Sequence, residues 1–100
     1  MGKANEPRLS IQGLRVLEFF ASRAADELTG TDLMDAIGVA SGTLYPLLAR
    51  FERARWLTSR WEKGDPATIG RPRRRYYRIT GIGARKACEL QQILVRTARA

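Results

Sequence analysis

The chain has 100 residues, 44% of them hydrophobic, which suits a single domain with enough apolar material for one core. Eighteen Lys and Arg against ten Asp and Glu leave a net charge of +8, pointing to a polyanionic partner, nucleic acid or an anionic membrane. Histidine is absent and Cys88 is the single cysteine, so the commonest general base, the commonest metal ligand and an internal disulfide are excluded together.

Residues 1–8 read as a flexible tail, too polar for a signal peptide. No apolar run approaches the roughly 18–20 residues of a membrane span. Ser10 is a good N-cap for a first helix from Ile11 to about Arg23. Its apolar residues Leu14, Leu17, Phe20 and Ala21 share one face, and Val16 and Phe19 fall outside it. Residues 26–28 are a short connector. Thr29 then caps a second helix, with Asp32 completing a capping box. Leu33, Met34 and Ile37 supply its apolar side, and Gly38 ends it at the position that favours a left-handed residue. Ser41 is expected to cap a third helix running to about Ala54. Two short helices joined by a glycine-containing turn make a helix-turn-helix.

On the third helix Leu44, Leu47, Leu48 and Phe51 form a core stripe. The opposite side carries Gly42, Pro46, Ala49, Arg50 and Arg53, with Thr43 and Tyr45 on the flanks. A solvated helix normally carries long charged residues throughout. This one is small and uncharged in its N-terminal half, a shape that allows close approach to the floor of a major groove. The hydroxyls of Ser41, Thr43 and Tyr45 can bond bases or phosphates, and Thr43 and Tyr45 are expected to set preference among sites. Pro46 forces the helix to begin at Ser41 or Gly42, because an interior proline removes a hydrogen bond.

Residues 56–62 and 73–79 are rich in strand formers and roughly alternate, with Arg75, Tyr77 and Ile79 on one side of the second run. Trp56 and Trp61 belong to the first run and read as structural. Residues 63–72 between the runs are dense in turn formers. Together they predict a β-hairpin with a long basic tip, in which Lys63, Arg71, Arg73 and Arg74 face the DNA backbone or minor groove. The fold class is therefore mainly α with a β-hairpin wing: a winged helix-turn-helix over residues 9–80, followed by a C-terminal helix over 81–100 packed on the same domain.

That last helix has Ala87, Leu90, Ile93 and Leu94 on one face and Ala84, Cys88 and Val95 on a second apolar stripe. A helix apolar over more than half its circumference is buried on two sides, and a chain this short lacks the material to cover both. A symmetric homodimer is expected, with Val16 and Phe19 of the first helix meeting Ala87, Leu90, Ile93, Leu94 and Val95 of the last. It would hold two recognition helices about one DNA turn apart.

Two motifs add a resemblance. Ser41-Gly42-Thr43-Leu44-Tyr45-Pro46-Leu47-Leu48, and then Gly70-Arg71-Pro72-Arg73-Arg74-Arg75-Tyr76-Tyr77-Arg78-Ile79-Thr80 with Gly83, make the chain similar to the PadR family of transcriptional regulators, in its short form. The resemblance spans about residues 9–98. It implies a winged helix, a dimer built by the C-terminal helix, palindromic operators, and repression that a small-molecule effector often relieves. By position Ser41, Thr43, Tyr45 and Pro46 match the recognition-helix motif, and Arg71, Arg73 and Arg74 the wing motif. The second helix begins Thr29-Gly30-Thr31-Asp32, keeping the glycine and acid of the family's pattern and losing both of its aromatics. The last helix has no tryptophan, so the flat aromatic ligands that some short relatives hold at the dimer centre are not expected.

The sequence thus reads as a cytoplasmic regulator binding double-stranded DNA and expected to repress, without enzymatic activity, cofactor, metal or membrane contact. The alternative is a basic RNA-binding or ribosome-associated module, for which a two-stranded wing offers little stacking platform.

Overall fold

The computed structural model describes residues 9–99, so the expected tail over 1–8 lies outside the described residues. Helix α1 (Ile11–Ser22) starts where Ser10 accepts from the Gly13 amide at 3.0 Å. Helix α2 (Gly30–Ile37) opens on the expected capping box: Thr29 Oγ1 accepts from the Asp32 amide, and Asp32 Oδ2 accepts from the Thr29 amide. Gly38 closes it with φ 76°, a conformation that costs a residue with a Cβ. Helix α3 (Ser41–Arg53) follows. Its N-cap is Ala40, without a side-chain hydrogen bond, so Ser41 is the first helical residue and not the cap.

Helix α3 ends without glycine. Arg55 takes the left-handed conformation (φ 64°). Its amide donates to the Glu52 carbonyl at 3.0 Å, and the Trp56 amide donates to the Phe51 carbonyl at 2.9 Å. These two bonds form a Schellman motif, completed by contact between the Phe51 and Trp56 rings, whose centroids are 5.3 Å apart. The chain is thereby turned straight into strand β1 (Leu57–Trp61).

Strand β1 pairs antiparallel with β2 (Arg75–Ile79), Leu57 opposite Ile79 and Trp61 opposite Arg75. The expected connector is more than a link: Leu28 and Tyr77 exchange two backbone hydrogen bonds of 2.8 Å, a one-residue bridge that adds to β2 a partner besides β1. Between the strands lies α4 (Pro66–Ile69), a single turn capped by Asp65 and stopped by Gly70. Helix α5 (Gly81–Arg99) completes the described residues.

The core is one cluster drawn from α1, α2, α3, both strands and α5, including Phe20, Leu33, Leu44, Leu48, Phe51, Trp56 and Tyr77. Helix α1 sits at its centre, touching α2, α5 and β2. Val16 is therefore fully buried inside the chain's own core, which corrects its assignment to a subunit interface. Ala87 of α5 is corrected for the same reason: it is buried against the core, at 3% exposure. Phe19 is half-buried, with the Arg23 guanidinium 4.9 Å from its ring centre, and Leu90 is half-buried against the core. Beyond Leu90 the picture changes. Residues 91–98 are all exposed, Ile93, Leu94 and Val95 among them.

Candidate nucleic-acid interface

The leucine stripe fixes how α3 is presented. Leu44, Leu48 and Phe51 are fully buried and Leu47 nearly so, which turns the remaining side outward. Ser41, Gly42, Tyr45, Pro46, Arg50 and Arg53 are exposed, and Thr43 is half-buried. Pro46 lies inside α3 rather than in its first turn. With no amide there, the Gly42 carbonyl has lost its usual partner in the helix, at a point where both residues face solvent.

Helix α3 and the wing are joined by side chains as well as by the turn. Glu52, on the α3 flank, accepts from Ser59 Oγ of β1 at 2.6 Å and from Arg75 of β2 at 3.5 Å. The Arg75 guanidinium also stands 4.8 Å from the Trp61 ring centre. Arg60 forms a two-pronged pair with Glu27 at 2.7 and 2.8 Å, tying β1 to the segment before α2.

The wing's cations divide into two kinds. Arg71 donates from both terminal guanidinium nitrogens to Glu62, at 2.6 and 2.9 Å, and the same carboxylate accepts from the Arg74 amide at 3.2 Å. These donors hold the Glu62 carboxyl down to about 2. Arg71 is thus engaged in closing the base of the wing loop, although the sequence places it among the free wing cations. Lys63, Arg73 and Arg74 are exposed, and their charged groups have no acidic partner among the described residues.

Helix and wing meet in a cleft of about 390 Å³, lined by Thr31 and Gly30 of α2, Tyr45 of α3, and Trp61, Arg73 and Arg74 of the wing, among others. No carboxylate is among its lining residues. An exposed helix ridge beside an arginine-bearing hairpin is the surface that winged helices share, and residues 25–89, more than half of the chain, match the Transcriptional regulator PadR-like family. The chain belongs to that family.

Solved structures place this PadR-like chain among winged-helix regulators. It is 26% identical to a PadR family transcriptional regulator from Eggerthella lenta, with a TM-score of 0.72, over 88% of this chain and 78% of that one. A PadR-like transcription factor from Bacteroides fragilis is 24% identical with a TM-score of 0.72, covering 88% of this chain and 86% of that one. MepR of S. aureus in its complex with DNA is 18% identical with a TM-score of 0.69, over 90% of this chain and 68% of that chain, a likeness of fold. No curated protein matches the chain.

Three residues of the candidate interface of this PadR-like protein have a part in it that the sequence reading does not give them. Glu52 lies among helical residues without an evident role, and only its pairing across β1 and β2 reveals it. Trp61 reads as a structural strand residue, yet it is 56% exposed at the cleft's edge. Gly30 is the third. A Cβ there would stand 2.8 Å from Tyr45 Cζ and closer still to the hydroxyl, so glycine is what lets the Tyr45 ring lie over the start of α2.

Proposed function

We propose that this protein is a sequence-specific, duplex-DNA-binding transcriptional regulator that acts as a homodimeric repressor at a palindromic operator. The observation that carries this reading is the common surface of α3 and the wing. The leucine-free side of α3 is exposed, and two wing cations without an acidic partner among the described residues, Arg73 and Arg74, share a cleft with its Tyr45. Ser41, Gly42, Thr43, Pro46, Arg50 and Arg53 enter the major groove, while Lys63, Arg73 and Arg74 hold the sugar-phosphate chain. MepR, of like fold, is described in complex with DNA, which supports the same use here. Arg73 and Arg74 lie beside the exposed side of α3, so the basic charge is assigned to nucleic acid; among the described residues no helix is long and apolar enough to cross a membrane.

The dimer rests on the exposed end of α5. Ile93, Leu94 and Val95 are 54%, 48% and 46% exposed, an apolar run that a second copy would cover. Half-sites would then be spaced by one helical turn, or a multiple of it, through the two-fold axis.

Selection from a random duplex library, followed by salt titration of the enriched site, tests the function. A cognate site bound roughly 10³-fold or more above random duplex, with a steep salt slope, is the expected result. Equal binding to all duplexes, or tighter binding to RNA, would overturn it. Leu94→Glu is expected to give monomers by sedimentation and to lose the palindrome preference. A reporter under the selected site should be silenced by the wild-type protein.

A further inference from the structure

Resting on that DNA-binding reading, we propose that the cleft between α2, Tyr45 and the wing is a seat for one DNA phosphodiester. Arg73 and Arg74 supply its charge, the Tyr45 hydroxyl supplies a hydrogen bond, and Trp61 forms a wall against the adjoining deoxyribose.

Charge points to an anion. The lining holds arginines and hydroxyls and no carboxylate. The nearby acids are turned elsewhere: Asp32 onto the Thr29 amide, Glu52 onto Ser59 and Arg75, Glu62 onto Arg71. Arg75 is drawn off by Glu52 and by the Trp61 ring, which leaves Arg73 and Arg74 as the unpaired cations. Such a pair of free guanidiniums beside a hydroxyl suits the tetrahedral oxygens of a phosphate.

Position points to the backbone rather than a base. In a helix-turn-helix the second helix lies in the groove while the helix before it crosses the backbone. The Tyr45 hydroxyl is packed over Gly30 at the first residue of α2, so it belongs to the backbone side of the interface. This reverses the sequence expectation that Tyr45 sets preference among sites. Trp61 is exposed, yet its ring is fixed by Arg75 at 4.8 Å. A flat apolar wall held beside a phosphate seat fits the apolar face of a sugar, and the cleft is roomy enough for both.

The test uses the full chain and its selected operator, with single neutral methylphosphonate linkages moved through one half-site. Wild-type protein is expected to lose about tenfold or more at one linkage position. That penalty should shrink several-fold in Arg73→Ala, with Arg74 and Tyr45 left at the seat, and the salt slope should also fall by about one unit, the mark of one cation fewer on the phosphates. Tyr45→Phe should weaken every duplex by a similar factor and leave the rank order of operator variants unchanged. Thermal melts of both variants should match the wild type, since both side chains are exposed. A methylphosphonate profile identical in wild type and Arg73→Ala would overturn the seat, as would a reordering of sites by Tyr45→Phe. So would displacement of the operator by millimolar inorganic phosphate at constant ionic strength, which would make the cleft a site for the free anion. All of these leave specific DNA binding itself intact, whereas a wild type without any cognate duplex removes the underlying function.

Discussion

The Tyr45 ring of α3 lies across Gly30 of α2 so closely that glycine is the one residue whose backbone leaves room for it. The contact links α3 to the start of α2, and the far end of the tyrosine is what touches. A Cβ at position 30 would push that end aside without moving backbone. Gly30→Ala is therefore expected to cost less than about 1 kcal/mol of stability, offset in part by alanine's better helix propensity. Operator affinity should fall about as far as in Tyr45→Phe, because the hydroxyl is displaced in one and removed in the other. Paired melting and binding curves check this. A large drop in melting temperature with unchanged binding would mean that the pair holds the fold rather than the DNA.

Arg55 occupies a position that glycine usually fills. Its φ of 64° ends α3 and aims the chain into β1, and a left-handed non-glycine residue is held at a cost of roughly 1 kcal/mol or more. Both Schellman bonds are made by backbone, so they survive removal of the side chain. Arg55→Gly is expected to stabilise the protein by about 0.5–1 kcal/mol, with the flexibility that glycine adds to the unfolded chain taken into account. A denaturant midpoint that falls would show that the arginine side chain contributes more than its backbone costs.

Where local chemistry decides structure, the sequence is legible. Thr29 with Asp32, Gly38, and the leucine stripe of α3 each act within a turn or two of helix, and each is found as read. The hairpin and its alternation are also visible, with Tyr77 and Ile79 inward. Val16 escapes because a periodicity argument allows α1 one buried face, while its central place gives it several. Arg55 carries no glycine to announce its turn. The single turn α4 has its signals in Asp65, Pro66 and Gly70, hidden by a composition that reads as loop. The site is legible as a set of residue types, but not in its pairings. Sequence cannot separate Arg71, engaged by Glu62, from Arg73, which is free; the two stand in one run of like residues, and only the fold chooses.

Glu62 makes the wing sensitive to acid. Its carboxyl is lowered from the usual 4.5 to about 2, first by the Arg71 hydrogen bonds and then by the Arg74 amide. A depressed folded-state value means that the contribution is full above about 4.5, the unfolded value. It is lost progressively as pH falls toward 2. The group is at the surface, so salt should weaken the effect. Trp61 fluorescence, which reports on the adjoining cleft, is expected to change across that window in the wild type. In Glu62→Gln the change should be much smaller, with Arg71 released at neutral pH. An unaltered acid transition in Glu62→Gln would assign it to another carboxyl, of which Glu27 is next, lowered by Arg60.

The first turn of α5 is locked to the turn that ends α3. Thr80 donates through its amide to the Trp56 carbonyl at 2.9 Å and through its hydroxyl to the Arg55 carbonyl at 2.6 Å. The Gly83 amide donates back to that hydroxyl at 3.0 Å. This draws α5 so near that a Cβ on Gly83 would lie 3.0 Å from the Trp56 carbonyl carbon and closer to its oxygen. Unlike Tyr45 at Gly30, the obstacle is backbone and cannot swing away. Gly83→Ala is expected to destabilise by about 1–3 kcal/mol, against the gain alanine normally brings to a helix. In a domain of this size each kcal/mol lowers the melting temperature by roughly 4–8 °C. Because α5 carries Ile93, Leu94 and Val95, a tilt at Gly83 should also weaken self-association, read by sedimentation well below the melting transition. Gly81→Ala serves as the contrast: its near neighbour is the flexible Arg85 guanidinium, at 3.7 Å, so the melting temperature should hold or rise. Equal losses at positions 81 and 83 would show that helix formation, rather than the close approach to Trp56, governs this junction.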